Sequence, residues 1–285
     1  MINSIIKPML LSGSDVVSTE NDIIHEVKLD GFRCILKMIN SKLYLQSRHG
    51  NFTKGFPEIE SAYGYINANE VILDGEMICI KDGHPDFELV MSRYMANRKD
   101  TVHRLSLSCP AIYYAFDILY KDGKVLTSLP LIERKKILEA TVSPNNNIKI
   151  VDYYVGKGQE ISNMSKKMDL EGIVEKKINS RYTLNARSKD WIKIKNYRFT
   201  QCVITGLRKG KFALYLADEK LNPLGICEFA PPAERKALYK VIPYAKNDED
   251  KDQIYFKPLI RCKVKHIGFT SRGYLHTPAL TSLVV

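Results

Sequence analysis

Ile23-Ile-His-Glu-Val-Lys-Leu-Asp-Gly-Phe-Arg33 joins an alternating run to a glycine turn and brings Glu26, Lys28, Asp30 and Arg33 close together. Along it Val27 and Leu29 share one face while Glu26, Lys28 and Asp30 share the other, the period of a half-buried strand. Lys28 then stands at the strand's end facing a cleft, and Gly31 lets the chain turn there without a Cβ clash. A lysine that is partly desolvated or held near other cations loses affinity for its proton and becomes a usable nucleophile. The stretch reads as a site for chemistry on a phosphate. The alternative for the same residues is a polar turn after a strand, because short motifs recur by chance.

The chain around it has 285 residues with 45% hydrophobic content, enough for one large or two medium domains with ordinary cores. No apolar run reaches membrane-spanning length and no signal peptide opens the chain, so the expectation is a cytoplasmic protein of bacterial or phage type with no membrane partner. Six cysteines (Cys34, Cys79, Cys109, Cys202, Cys227, Cys262) occur singly, without Cys-x-x-Cys spacing, and read as reduced core residues rather than zinc ligands. The formal net charge is +11 and the pI about 9.2, which points to a polyanionic partner or to a generally basic surface. The excess is uneven, since residues 197–285 carry 15 basic and 8 acidic side chains.

Periodicity divides the chain near Asn196. Up to there, strands read at Lys42–Ser47, Glu70–Asp74 and Ala111–Leu119, and helices at Leu131–Ala140, opened by Pro130, and at Glu160–Met168, with Ile161, Met164 and Met168 on one side. Beyond it, short strands such as Cys202–Leu207 and Phe212–Leu216, joined by the Arg208–Lys211 turn, suggest a small barrel of about five strands. There Ile260, Cys262 and Val264 alternate with Arg261, Lys263 and Lys265, giving one apolar and one basic face. The basic face suits a phosphate backbone or a charge-protected edge strand equally well.

Further motifs follow Lys28 in order. Ser47-Arg-His-Gly50 offers the guanidinium fork of Arg48 beside a glycine. Asp74-Gly-Glu76 sets carboxylates at a strand's mouth, suited to a ribose hydroxyl or to Mg²⁺. Phe116 lies within an apolar strand, and Glu171-Gly-Ile-Val174 pairs a carboxylate with a glycine. In Trp191-Ile-Lys-Ile-Lys195, Lys193 and Lys195 project from one face and could clamp one phosphate. Taken singly, each of these is as well explained by a turn, a core aromatic or a solvated strand face.

As an ordered set from Lys28 to Lys195, these motifs resemble the ATP-dependent DNA ligases of the covalent nucleotidyltransferase superfamily. The run Ser47–Ile59 is similar to the ligase module of bacterial end-joining enzymes and to small bacterial or phage ligases. The resemblance implies an α+β nucleotidyltransferase (adenylation) domain with antiparallel sheets and helices at 1–196, followed by a small β-barrel OB-fold domain at 197–285. It implies that Lys28 attacks the α-phosphorus of ATP and carries AMP, that Glu26 helps seat the adenine, and that Phe116 stacks on it. Arg33 and Arg48 would contact ribose or phosphate groups, including the 5′-phosphate of a nick, and Glu76 would hold the ribose. Glu76 and Glu171 would be metal ligands for Mg²⁺, with Mn²⁺ a substitute, while Lys193 and Lys195 would stabilise charge on the α-phosphate.

The implied partner is nicked duplex DNA, gripped by a monomer. With 27 residues ahead of Lys28 and no separate DNA-binding domain expected there, binding should depend strongly on salt and draw on a DNA-end-binding or clamp partner. The family's last motif falls here on Gly273-Tyr-Leu-His-Thr-Pro278, with His276 where the resemblance implies arginine, so that either Arg272 or a nearby lysine substitutes or adenylylation is slow. Two other classes remain: an RNA ligase or RNA capping guanylyltransferase using the same lysine, and a non-catalytic DNA-binding module.

Overall fold

The computed structural model describes residues 1–284, and the chain divides into two compact units, Met1–Lys195 and Asn196–Val285. In the first, one sheet runs in the order Leu10–Gly13, Arg187–Lys195, Gly172–Lys177, Ile23–Val27, Tyr153–Val155. The other follows the path Ile148–Ile150, Ala111–Lys121, Glu70–Lys81, Phe32–Ile39, Lys42–Ser47, Phe52–Thr53. Its hairpins are set by local chemistry. Asn40 and Ser41, and likewise Asp122 and Gly123, adopt positive φ between paired strands, the geometry of two-residue type I′ turns that Asn and Asp-Gly favour.

The two sheets face each other across a core in which Ile24 and Trp191 of the first meet Ile35, Ile72 and Leu119 of the second, together with Ile6 and Met9 from the N-terminal segment. Helix Gly158–Lys167 covers the outer face of the first sheet through Ile161, against Ile173 and Ile194. The outer face of the second sheet is covered by the 3₁₀ segment Pro57–Tyr65 and by helices Phe87–Met95 and Leu131–Thr141, which bring Ile59, Val90 and Leu138 onto Leu36, Leu73 and Ala115. Period-2 alternation therefore sends Cys34, Leu36 and Met38 to one core and Ile35 to another.

This layering corrects two expectations. Strand Ile23–Val27 is not half-buried: it lies between two strand neighbours and between two layers, so Glu26 retains only 3% of its exposure. Met168 does not join the buried side of its helix, because the helix ends at Lys167 and Met168, the C-cap, is turned to solvent. All six cysteines are buried free thiols. Among the described residues no helix is long and apolar enough to cross a membrane.

The second unit is a six-stranded antiparallel sheet, Pro223–Cys227, Ala213–Ala217, Arg198–Arg208, Gln253–His266 and Lys246–Glu249 in order, with Ala279–Val284 also paired to Gln253–His266. Six strands rather than about five arise because the 14-residue strand Gln253–His266 is long enough to serve three partners. Helix Pro232–Ala245 closes its core through Leu238, Ile242 and Ala245. Ile260, Cys262 and Val264 are buried in that core while Arg261 and Lys263 are exposed on the opposite face.

Candidate active site

Strand pairing brings the first motif against the later ones. Val27 pairs with Ile173, the Lys28 amide donates to the Gly172 carbonyl at 2.9 Å, and Gly172 in turn pairs with Lys195. Lys28, Glu171 and Lys195, far apart in sequence, thus stand at neighbouring strand ends. One Glu171 carboxylate bridges the two ammonium groups: Oε2 takes the Lys28 Nζ and Oε1 lies 2.7 Å from the Lys195 Nζ.

Two glycines permit these approaches. A Cβ on Gly172, whose φ is +146°, would stand 2.0 Å from the Ile194 carbonyl oxygen, and one on Gly31 would stand 2.2 Å from that of Met77. At Gly31 the φ is not in the left-handed region, so the glycine serves close packing against the second sheet rather than the tight turn read from the sequence. Gly172→Ala is expected to cost about 2–4 kcal/mol, since backbone cannot yield as a side chain does. Thermal unfolding measures this, and a wild-type melting temperature would show that the two strands can separate without penalty.

The pocket beside this junction is lined by Glu26, Lys28, Arg33, Glu76 and Phe116, all singled out from the sequence. Lys176 and Trp191 complete its inner wall. Burial would depress the Lys28 ammonium, but the charges of Glu171, Glu76 and Asp30 outweigh it and raise its pKa. This corrects the expectation of a lowered lysine: in the free protein the amine is stored as the ammonium. Glu76 moves the other way from a normal carboxylate, pushed up to about 8 by burial, an effect that Glu171 and Asp74 reinforce against Lys28 and Arg33. Burial also tends to raise Glu171, but Lys28 and Lys195 bring it below the usual carboxylate range.

Glu26 is not free to meet a ligand with both oxygens. Its Oε1 is paired with Lys135 and its Oε2 lies 2.6 Å from the Lys176 Nζ, all three side chains being almost completely buried. Two ammonium groups share one carboxylate, so Glu26 is held below its ordinary value while Lys176, penalised by burial, comes down to about 8. The Lys176 Nζ lies 4.4 Å from the Phe116 ring centroid and 4.2 Å from that of Trp191, within cation–π range. Phe116 itself is half-buried, with its ring open to the pocket.

Arg33 forms a fork on Asp74, with Nε 2.9 Å from Oδ1 and Nη2 2.5 Å from Oδ2, and stacks 5.4 Å from the Phe116 centroid. Lys193 lies outside the pocket wall with its side chain along Gly13, its pKa lowered by burial and then by Lys195 and Lys28. Arg48 is not brought into the pocket. It is exposed at the end of strand Lys42–Ser47, where its Nε donates to the His49 ring at 2.9 Å. In the second unit, Tyr274 to His276 lie in a loop held by bonds from the Leu275 amide to Leu224 and from the His276 amide to Gly268, each 2.9 Å.

Sequence reasoning missed Lys176 and Lys135. Lys176 was detectable, since it follows Val174 by one strand period and Val174 also lines the pocket. Lys135 lies on a helix far along the chain and gives no local signal. The assembled arrangement, an amine flanked by carboxylates, an aromatic floor and clustered cations, suits covalent transfer from a nucleotide phosphate.

A family model described as the ATP dependent DNA ligase domain matches residues 7–195. The chain is 34% identical to the SPbeta prophage-derived DNA ligase-like protein LigB of Bacillus subtilis, over 97% of this chain and 98% of that protein. It is 33% identical to the bifunctional non-homologous end joining protein LigD of the same organism, over 64% of this chain but only 33% of that longer protein. Among solved structures, mycobacterial DNA ligase D complexed with ATP and MES superimposes with a TM-score of 0.61 at 23% identity, covering 98% of this chain and 95% of that one, a likeness of fold.

Proposed function

Since this chain belongs to the ATP-dependent DNA ligase family, we propose that its first unit adenylylates itself on Lys28 and passes the AMP to the 5′-phosphate of a nick in duplex DNA. The observation that carries this reading is the Lys28–Glu171–Lys195 junction at the mouth of the pocket. In the first step the Lys28 ammonium loses one proton to solvent to become the amine, its N–P bond forms as the α–β phosphoanhydride bond breaks, and the second nitrogen proton leaves with the departing pyrophosphate or to solvent. AMP then moves to the nick phosphate, and the 3′-hydroxyl displaces it to seal the strand.

Lys28 must be freed from Glu171 to act, and an incoming triphosphate supplies the means by competing for Lys28 and Lys195. Glu26 and Phe116 are assigned to the adenine end, Glu76 and Arg33 to the ribose and phosphates, Lys193 and Lys195 to the α-phosphate, and Arg48 to the nick phosphate. Glu76 and Glu171 are the donor set for Mg²⁺ or Mn²⁺. The burial that raises Glu76 beside Glu171 is relieved by a cation, and a pair of carboxylates completed by substrate phosphates suits Mg²⁺. When bound, the ion neutralises phosphate charge.

For the second unit we propose an OB-fold. A bridge between Phe229 and Ala279 and the Leu275–Leu224 bond draw the two ends of its sheet together, which supports a closing barrel. Its basic face is assigned to the DNA backbone, with the Lys263 Nζ 4.9 Å from the Phe199 ring and the Lys265 Nζ 4.5 Å from that of Tyr197. Replacing Lys263 and Lys265 together by Ala is expected to weaken nicked-DNA binding and lower the slope of log K against log salt by about 2, leaving ATP labelling unchanged. An unaltered slope would assign the face to something other than DNA.

The deciding experiment is incubation with α-³²P-labelled ATP and Mg²⁺ after pyrophosphate treatment to remove any bound AMP. Covalent label and sealing of nicked duplex DNA are expected. Labelling from GTP, or sealing of single-stranded RNA alone, would support the capping or RNA-ligase alternatives. Folded protein that takes no label would leave only a DNA-binding module.

A further inference from the structure

Tyr182 belongs to none of the motifs, yet its hydroxyl is the best-connected polar atom of the inner core. The side chain is 3% exposed, with its ring edge-on to Trp191 at 5.6 Å between centroids. Its oxygen lies 2.6 Å from Asp74 Oδ2, 3.1 Å from the Met9 amide nitrogen and 3.2 Å from Arg33 Nη2.

A phenol has one proton and two lone pairs, which fixes the direction of all three contacts. Burial and then the Asp74 charge keep the proton on the oxygen, so Tyr182 donates to Asp74, while the Met9 N–H and the Arg33 guanidinium donate to Tyr182. The guanidinium is thereby turned in one direction. Its Nε–H goes to Asp74 Oδ1, and Nη2 faces both Asp74 Oδ2 and the Tyr182 oxygen, which are themselves 2.6 Å apart. Nη1 is the guanidinium nitrogen outside this fork, on a residue that lines the pocket.

The same oxygen ties in the N-terminal segment. That strap crosses the face of the second sheet, held by the Gln46 side chain, which bonds both the Ile6 amide and the Ile6 carbonyl, and by Lys37 on the Ser4 carbonyl. It passes Tyr182 at Met9 and reaches the pocket at Leu11.

We propose that Tyr182 is a positioning residue for the adenylylation reaction: its hydroxyl locks the Asp74–Arg33 fork to the N-terminal strap, so that Arg33 Nη1 is aimed at the bound nucleotide. This rests on the assignment of Arg33 to the nucleotide. Without the hydroxyl, Asp74 loses a donor and the guanidinium can rotate on a single carboxylate, spending Nη1 on the vacated position. Loss of one charge-assisted contact in the bound state predicts an effect of about tenfold.

The test uses the full chain freed of AMP, measuring initial labelling rates against ATP concentration for the wild type, Tyr182→Phe, Arg33→Ala and the double variant. Tyr182→Phe keeps the ring against Trp191. It is expected to raise KM for ATP about tenfold with kcat within about threefold, and the double variant is expected to match Arg33→Ala within about twofold. A general loosening of the core would instead lower kcat and multiply with Arg33→Ala, and either result overturns the proposal, as does a wild-type KM for Tyr182→Phe. If Arg33→Ala itself leaves KM unchanged, the nucleotide assignment of Arg33 fails and the relay with it, whereas loss of all labelling by the wild type would refute the ligase reading. Should Tyr182→Phe not fold, Asp74→Asn breaks the same relay next to Arg33 and is judged by the same comparison.

Discussion

Lys28→Ala is expected to abolish transfer of label from α-³²P-labelled ATP, a loss of about 10⁴-fold or more, while leaving the fold intact. The size of the effect follows from the role proposed for the side chain as covalent carrier, since a methyl group cannot form the N–P bond. The intact fold follows from the geometry. Lys28 is at the pocket mouth and half-buried, and Glu171 retains its 2.7 Å contact with Lys195 after the substitution, so no carboxylate is stranded. Labelling is measured alongside thermal unfolding. A folded Lys28→Ala protein that still takes label would move the nucleophile elsewhere.

The second large effect is on stability. Glu26→Ala leaves Lys135 and Lys176 buried against each other without their shared carboxylate, and breaking a buried ion pair on one side costs about 3–5 kcal/mol. For a unit of this size that corresponds to a melting temperature lower by roughly 6–20 °C. The pH dependence distinguishes this cause from simple loss of packing. The folded pKa of Glu26 is below the ordinary 4.5, so its stabilisation is present at neutral pH and is lost as pH falls below that value toward the folded one. The gap between wild type and variant should therefore narrow in acid. In the variant Lys176, which burial already brings down to about 8 beside the carboxylate, binds fewer protons folded than unfolded, so stability should recover as the pH rises past about 8. A gap that is constant from pH 3 to 9 would mean that Glu26 contributes through packing alone.

Glu26 also shows where sequence reading stops. Glu26 and Lys28 line one pocket with Arg33, Glu76 and Phe116, but Val27 and Leu29, which alternation puts on the opposite face, line it too, because the chain leaves the strand at Val27. Alternation could not say that both its oxygens are engaged, because Lys135 and Lys176 arrive from a helix and a strand more than a hundred residues away. The same limit reversed the electrostatics of Lys28. Local sequence supplies Asp30 alone, whereas Glu76 and Glu171, which keep the amine protonated, are delivered by sheet pairing. Met168 failed for a local reason, the helix ending one residue sooner than its apolar spacing suggested.

What the sequence determined by itself is the family and the order of the chemistry. Lys28, Glu76, Phe116, Glu171 and Lys195 belong to short motifs whose spacing survives in the linear chain, and strand period and turn residues are set by neighbours in sequence. Only the tertiary structure decided which charges meet. Glu171 bridging Lys28 and Lys195, Glu26 held between two lysines, and Tyr182 joining Met9, Asp74 and Arg33 are contacts between distant segments. Coulomb and hydrogen-bond energies depend on separations of a few ångströms and on burial, neither of which is written in any single stretch of the chain.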